Sequence, residues 1–164
     1  MYRLYLKYFL LLGIYIVTLS AQQKNINIDI LTKQAKEEGK YLVLFFHKLG
    51  CGYCEKMINI TFKDKQIITR IHKNFIFVDI GIDDSDLVID KNFKGSKHDY
   101  AKSLEVNFYP SIGFMDGRSK IVHTVIGYRD YEKFLTQLKY VDSTAYKTME
   151  YEDFQTYLDF QEDR

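Results

Sequence analysis

Apolar residues along this 164-residue chain gather into two continuous runs and several helical stripes. Tyr41-Leu-Val-Leu-Phe-Phe-His47 shows no polar alternation until its last residue, the pattern of a central strand covered on both faces. Phe75-Ile-Phe-Val-Asp-Ile-Gly-Ile82 is the second such run. Ahead of the first, 25–29 reads as a short strand. Ile28, Leu31 and Ala35 follow at helical spacing, with Gly39 placed to end that helix. Between the runs, Asp64 is placed to cap a helix that carries Ile67, Ile68 and Ile71 on one face. Strand, helix, strand in this order predicts a right-handed parallel crossover.

The second half is broken into shorter pieces. Residues 83–97, acidic first and basic later, read as an extended loop. A short helix is expected over 99–104. Strands at 111–115 and 121–126 are joined by Asp116-Gly117, a hairpin signal. Phe134, Leu135 and Leu138 give the next helix its apolar face, and 148–160 reads as a last helix lying on the surface. A βαβ unit followed by a hairpin and a helix implies an α/β sandwich with a mixed sheet.

The first run ends in Lys48-Leu-Gly-Cys51-Gly-Tyr-Cys54, and these are the only two cysteines in the chain. A buried strand that delivers a Cys-x-x-Cys pair to a helix N-terminus is an arrangement that makes a thiol reactive. Rival readings of the pair are weaker. A disulfide closing so small a loop constrains the unfolded chain little, so stability is a poor reason for it. Structural zinc calls for four ligands, and His47, His72, His98 and His123 are scattered without paired spacing. Haem attachment needs a histidine directly after the second cysteine, where the chain has Glu55.

Composition adds compartment and partners. The formal charge is +1 with both signs interspersed, which leaves no nucleic-acid footprint. Arg3 and Lys7 precede an apolar stretch from Phe9 to Leu19, and Ser20-Ala21 offers a small residue for cleavage, so residues 1–21 read as a signal peptide. Cleavage there removes two positive charges and no negative ones, taking +1 to −1. Export places the mature chain in the periplasm or otherwise outside the cytoplasm, where a cysteine pair can oxidise. The expected organisation is a leader over 1–21, one domain over 22–142 and a helical extension over 143–164.

From about Asp29 to Tyr140 these residues resemble the thioredoxin superfamily. The likeness rests on the buried strand into Cys51-Gly-Tyr-Cys54, on Phe75–Asp83 as the family's second central strand, on Tyr109-Pro110-Ser111 and on Ile126-Gly127-Tyr128. Cys-x-Tyr-Cys-x-x-Met and Phe114-Met-Asp-Gly117 are similar to exported bacterial thioredoxin-like proteins, and the Gly-Tyr dipeptide to periplasmic disulfide isomerases. The resemblance implies a three-layer α/β/α sandwich around a central mixed sheet, and a cis bond at Pro110, the only proline. It implies a thiol-disulfide oxidoreductase in which Cys51 attacks and Cys54 resolves. Gly52, Tyr53 and Asp79 would tune the pair, and His47, just before the loop, either adds positive potential near Cys51 or is simply the polar end of its strand; Tyr109, Pro110 and Gly127 would line the substrate groove. No cofactor or metal is implied. The expected partners are protein disulfides and a thiol-reducing electron donor in the membrane, with the protein a monomer.

The chain departs from the thioredoxin pattern in two places. Gly50 replaces the usual tryptophan before the first cysteine, and Phe45 stands where thioredoxin keeps a buried acid that helps move the proton of the buried thiol. Asp79, read as a buried acid on the neighbouring strand, is a substitute proton carrier or an acid tied up in a hydrogen bond. Within the redox reading a reductase comes first, an isomerase second and an oxidase third. Only about 20 mature residues precede the active-site strand, too few for the separate dimerisation domain of known isomerases. The alternative class is a thioredoxin-fold binding or metal-handling module without catalysis.

Overall fold

A computed structural model describes residues 25–91 and 93–162; the leader expected over 1–21 lies outside them. The elements run β1 (Ile26–Asn27), α1 (Ile28–Glu38), β2 (Tyr41–His47), α2 (Gly52–Asn59), α3 (Lys65–Asn74), β3 (Phe75–Gly81), β4 (Leu87–Asp90), β5 (Phe93–Ser96), α4 (Lys97–Ser103), β6 (Ser111–Met115), β7 (Ile121–Ile126), α5 (Tyr131–Asp142) and α6 (Tyr151–Glu162). Among the described residues no helix is long and apolar enough to cross a membrane.

The main sheet has the order β3-β2-β6-β7. β2 pairs in parallel with β3 over its whole length and antiparallel with β6, so it is the central strand its apolar run predicts. Side chains alternate across a strand, and both faces of β2 are covered. Leu42, Leu44 and Phe46 join Ile28, Ala35, Ile80 and Tyr100 in one core. Val43 and Phe45 join Met57, Ile67, Phe114, Phe134 and Leu138 in the other. Helices α1 and α4 thus lie on one side, and α2, α3, α5 and α6 on the other. All five residues from Leu42 to Phe46 are at most 1% exposed; each such burial contributes roughly 1.5–3 kcal/mol. This makes β2 a rigid base for the loop that follows it.

Helix ends follow the polar residues expected to set them. Gly39 ends α1 at φ 65°, and the Asp64 carboxylate accepts from the N–H groups of Gln66 and Ile67 to start α3. Asp116 turns the β6–β7 hairpin by accepting from the N–H groups of Arg118 and Lys120. Gly117 beside it is required by close approach, since a Cβ there would meet the Lys36 backbone Cα at 3.0 Å.

The loop expected over 83–97 is corrected. β4 and β5 form an antiparallel hairpin there, and β1 pairs with β4 in parallel, giving a second sheet of order β1-β4-β5. Each of its strands is four residues or fewer, too short for a period to stand out against the flanking charges. Its placement is decided by tertiary contact: Val88 is fully buried in the core under α1 and α4.

Candidate active site

The loop Lys48–Gly50 leaves the end of β2 and turns back into α2. Gly50 adopts φ 68°, a left-handed conformation that favours glycine, which explains the missing tryptophan at this position. Leu49 N–H donates to the Asp83 carboxylate at 2.7 Å, so the turn after β3 holds the loop in place. Sequence reasoning left Asp83 in the irregular segment; its pairing with Leu49 spans the chain and leaves no local signal.

Cys51 is the N-cap of α2, and Cys51 and Cys54 are joined as a disulfide. The Cys54 N–H donates to Cys51 Sγ at 3.2 Å. A thiolate at Cys51 would keep this donor and gain from the positive end of the helix. The two sulfurs differ sharply in access: Cys51 is half-buried, whereas Cys54 is 1% exposed. Cys51 is thus the sulfur open to the surface.

Opposite the disulfide, Tyr109–Pro110 is a cis peptide, as the resemblance implied. The Tyr109 carbonyl oxygen lies 3.7 Å from Cys51 Sγ. Gly127, at φ 85°, donates its N–H to the Pro110 carbonyl at 2.8 Å and so ties the β7 exit to the same wall. Arg129 extends that link to α2: its N–H donates to Met57 Sδ and its carbonyl accepts from Thr61 Oγ1. The structure thus brings Cys51, Cys54, Tyr109, Pro110 and Gly127 together, with exposed Gly52 and Tyr53 at the rim.

A second feature of the rim was not foreseen from the pattern. Leu49, Tyr53, Phe108 and Ile126 are large apolar side chains left exposed around the disulfide. Tyr53 stacks with Tyr128 at 6.0 Å, and the Lys56 ammonium sits over both rings. Lys48 sits likewise over Tyr109. Burial and the negative charge of Asp83 raise the Tyr109 pKa, so its hydroxyl stays protonated.

His47 and Asp79 stand at the base of the loop, and Asp79 is not the buried acid expected. Its side chain is 65% exposed and accepts a hydrogen bond from His47, with Nε2 to Oδ1 at 2.5 Å. β3 is an edge of the main sheet rather than the second central strand expected, which leaves Asp79 open to solvent. Phe45 fills the interior instead, edge-on to Phe62 and stacked on the His47 ring. Behind Gly81 the Lys97 ammonium, 5% exposed, pairs with Asp84 and Asp86. Burial alone would lower its pKa, but the hydrogen bonds it donates to the two carboxylates, with their charge, outweigh that and raise it. Among the described residues no cluster of three or more His, Cys, Asp or Glu is arranged to hold a metal.

Comparison with known proteins agrees with this geometry. Residues 28–142 match the family model of the thioredoxin-like domain. No curated protein matches the chain. Among solved structures the chain is similar to a thioredoxin-fold protein from Helicobacter pylori, with a TM-score of 0.66 at 22% identity over 87% of this chain and 91% of that one. It is similar to a thioredoxin from Thermus thermophilus (TM-score 0.57, 19% identity, 72% and 85% covered). It is also similar to the oxidised DsbD C-terminal domain from Neisseria meningitidis (TM-score 0.51, 14% identity, 68% and 90% covered).

Proposed function

Because the chain belongs to the thioredoxin-like family, we propose that it is an exported thiol-disulfide oxidoreductase that reduces protein disulfides. The observation that carries this reading is the asymmetry of the pair: Cys51 is accessible at a helix N-terminus beside cis-Pro110, and Cys54 is buried behind it. The Cys51 thiolate attacks a substrate disulfide, forms a mixed disulfide and expels one substrate thiolate. Cys54 then loses its proton and attacks Cys51 Sγ. The Cys51–Cys54 bond forms, the second substrate thiolate leaves, and two electrons have passed to the substrate.

A polypeptide substrate fits the rim better than a small disulfide. Exposed Leu49, Tyr53, Phe108 and Ile126 offer apolar contact, and the Tyr109 backbone offers strand-like pairing. The leader pattern over 1–21 supports export, and a reductive direction there requires a thiol-reducing donor at the membrane to reset the disulfide. The protein acts as a monomer in this scheme.

Reduction of insulin by the wild type and its loss in Cys51→Ser test the activity. A glutathione titration then tests the direction. A potential near about −270 mV supports a reductase, and one near about −120 mV marks an oxidant. If Cys51→Ser reduces insulin as well as the wild type, the redox reading is wrong.

A further inference from the structure

Among the described residues four contacts set an ammonium over an aromatic ring, and three of them gather at the rim of the disulfide. The two lysines that make those three are Lys48, in the loop before Cys51, and Lys56, on α2. Neither forms an ion pair among the described residues.

Both cations are tied to the walls of the site. The Lys48 ammonium lies 5.7 Å from the centre of the Tyr109 ring, and the Tyr109 carbonyl oxygen lies 3.7 Å from Cys51 Sγ. The Lys56 ammonium lies 5.7 Å from the Tyr53 ring and 5.9 Å from the Tyr128 ring, and these two rings stack on one another. Tyr53 stands between the two cysteines in the chain, and Tyr128 follows Gly127, whose N–H holds the Pro110 carbonyl. Attraction to the ring faces restrains each ammonium and leaves its three N–H donors open to a partner.

The other charges around the rim leave this pair of cations unmatched. Asp83 is taken up by the Leu49 N–H and Asp79 by His47. Glu55 is exposed on α2 and pairs with neither lysine. Arg129 adds a further cation, its guanidinium donating to the Tyr128 carbonyl at 2.9 Å.

We propose that Lys48 and Lys56 are specificity-determining residues that select disulfide substrates with acidic residues close to the reacting cysteine. This rests on the oxidoreductase reading and deepens it by naming the substrate class. A polypeptide laid along the Tyr109 backbone brings its sulfur to Cys51, and its flanking side chains pass the Tyr109 ring and the Tyr53–Tyr128 ledge. A carboxylate there meets an ammonium already held in place. A lysine there meets a like charge. A neutral side chain gains only the apolar contact of Leu49, Phe108 and Ile126.

The test is stopped-flow reaction of the reduced protein with three synthetic peptides of equal length. Each carries one cysteine joined by a disulfide to an aromatic thiol that colours on release, flanked on both sides by Asp, Ser or Lys. At low ionic strength the Asp peptide should react about tenfold faster than the Lys peptide, with the Ser peptide between them. Molar salt should shrink that ratio toward one. Lys48→Gln and Lys56→Gln should each lower the ratio to about threefold, and the double variant should bring it to about one. Lys56→Arg should preserve it. The ratio is the readout because any change in the reactivity of the Cys51 thiolate acts on all three peptides alike. Equal or reversed wild-type rates for the Asp and Lys peptides, or a preference that survives in the double variant, overturn the assignment. If none of the three peptides releases its thiol, the oxidoreductase reading itself falls.

Discussion

His47 and His123 lie on the same face of the same sheet, on strands separated only by β6, yet their surroundings differ sharply. His47 meets the side chain of Asp79 at the sheet's open edge. His123 bonds through Nε2 to the neutral amide oxygen of Gln137, which is 3% exposed. Its ring is stacked on Phe114 and on Tyr151 and met edge-on by Tyr140. Burial lowers its pKa against the smaller upward pulls of the Gln137 hydrogen bond and Glu152. The first histidine sits beside a carboxylate at an open edge of the sheet, and the second in a closed aromatic layer where burial disfavours its charged form. The difference separates the catalytic end of the fold from the end that anchors α6.

The largest effect should fall on the packing side. Phe114 is fully buried between Phe75 and His123, and Phe114→Ala should cost about 3–5 kcal/mol in urea unfolding. The rate of Cys54 resolution in the folded protein should barely change. If it collapses as well, the two ends are coupled and the contrast fails.

A pH series sharpens the contrast. Because the folded pKa of His123 is depressed, the unfolded chain binds its proton first as pH falls. The stability this packing supplies should be intact above the pH range of an unfolded histidine and be lost as pH drops through that range. The loss should stop growing once the folded state also takes the proton. Thermal melts across this range should show a decline in the wild type and a shallower one in His123→Phe. An equally steep decline in the variant would place the sensitivity elsewhere.

Smaller effects belong to the catalytic loop. Gly50→Ala places a side chain at φ 68° and should cost about 1–2 kcal/mol, visible as a lowered urea midpoint. Asp83→Ala removes the acceptor of the Leu49 N–H and should cost about 0.5–1.5 kcal/mol, with a shift in insulin reduction relative to Phe114→Ala at equal stability. If Asp83→Ala leaves that rate unchanged, the carboxylate only decorates the loop.

How much of this was legible in the chain depended on whether the signal was local. β2 announces itself because burial on both faces removes polar alternation, and Gly39 and Asp64 mark helix ends by short-range chemistry. The Cys51–Cys54 motif and Pro110 carried the site, and the cis bond followed from resemblance rather than from any pattern of its own. The second sheet was missed because a two-residue β1 has meaning only once β4 lies beside it. Asp79 was misjudged for a related reason: an acid inside an apolar run reads as buried, but β3 is an edge strand whose outward positions stay wet. The loop anchor Asp83 and the ledge of Tyr53 on Tyr128 likewise pair residues far apart in sequence.

The central claim is that Cys51 attacks and Cys54 resolves. It is tested most directly by incubating reduced Cys54→Ser and Cys51→Ser proteins with a disulfide-bearing protein and resolving the products by non-reducing electrophoresis and mass spectrometry. The account predicts that Cys54→Ser accumulates a one-to-one adduct through Cys51, released by added thiol, and that Cys51→Ser accumulates none. An adduct that forms through Cys54 in Cys51→Ser, with none in Cys54→Ser, would contradict it.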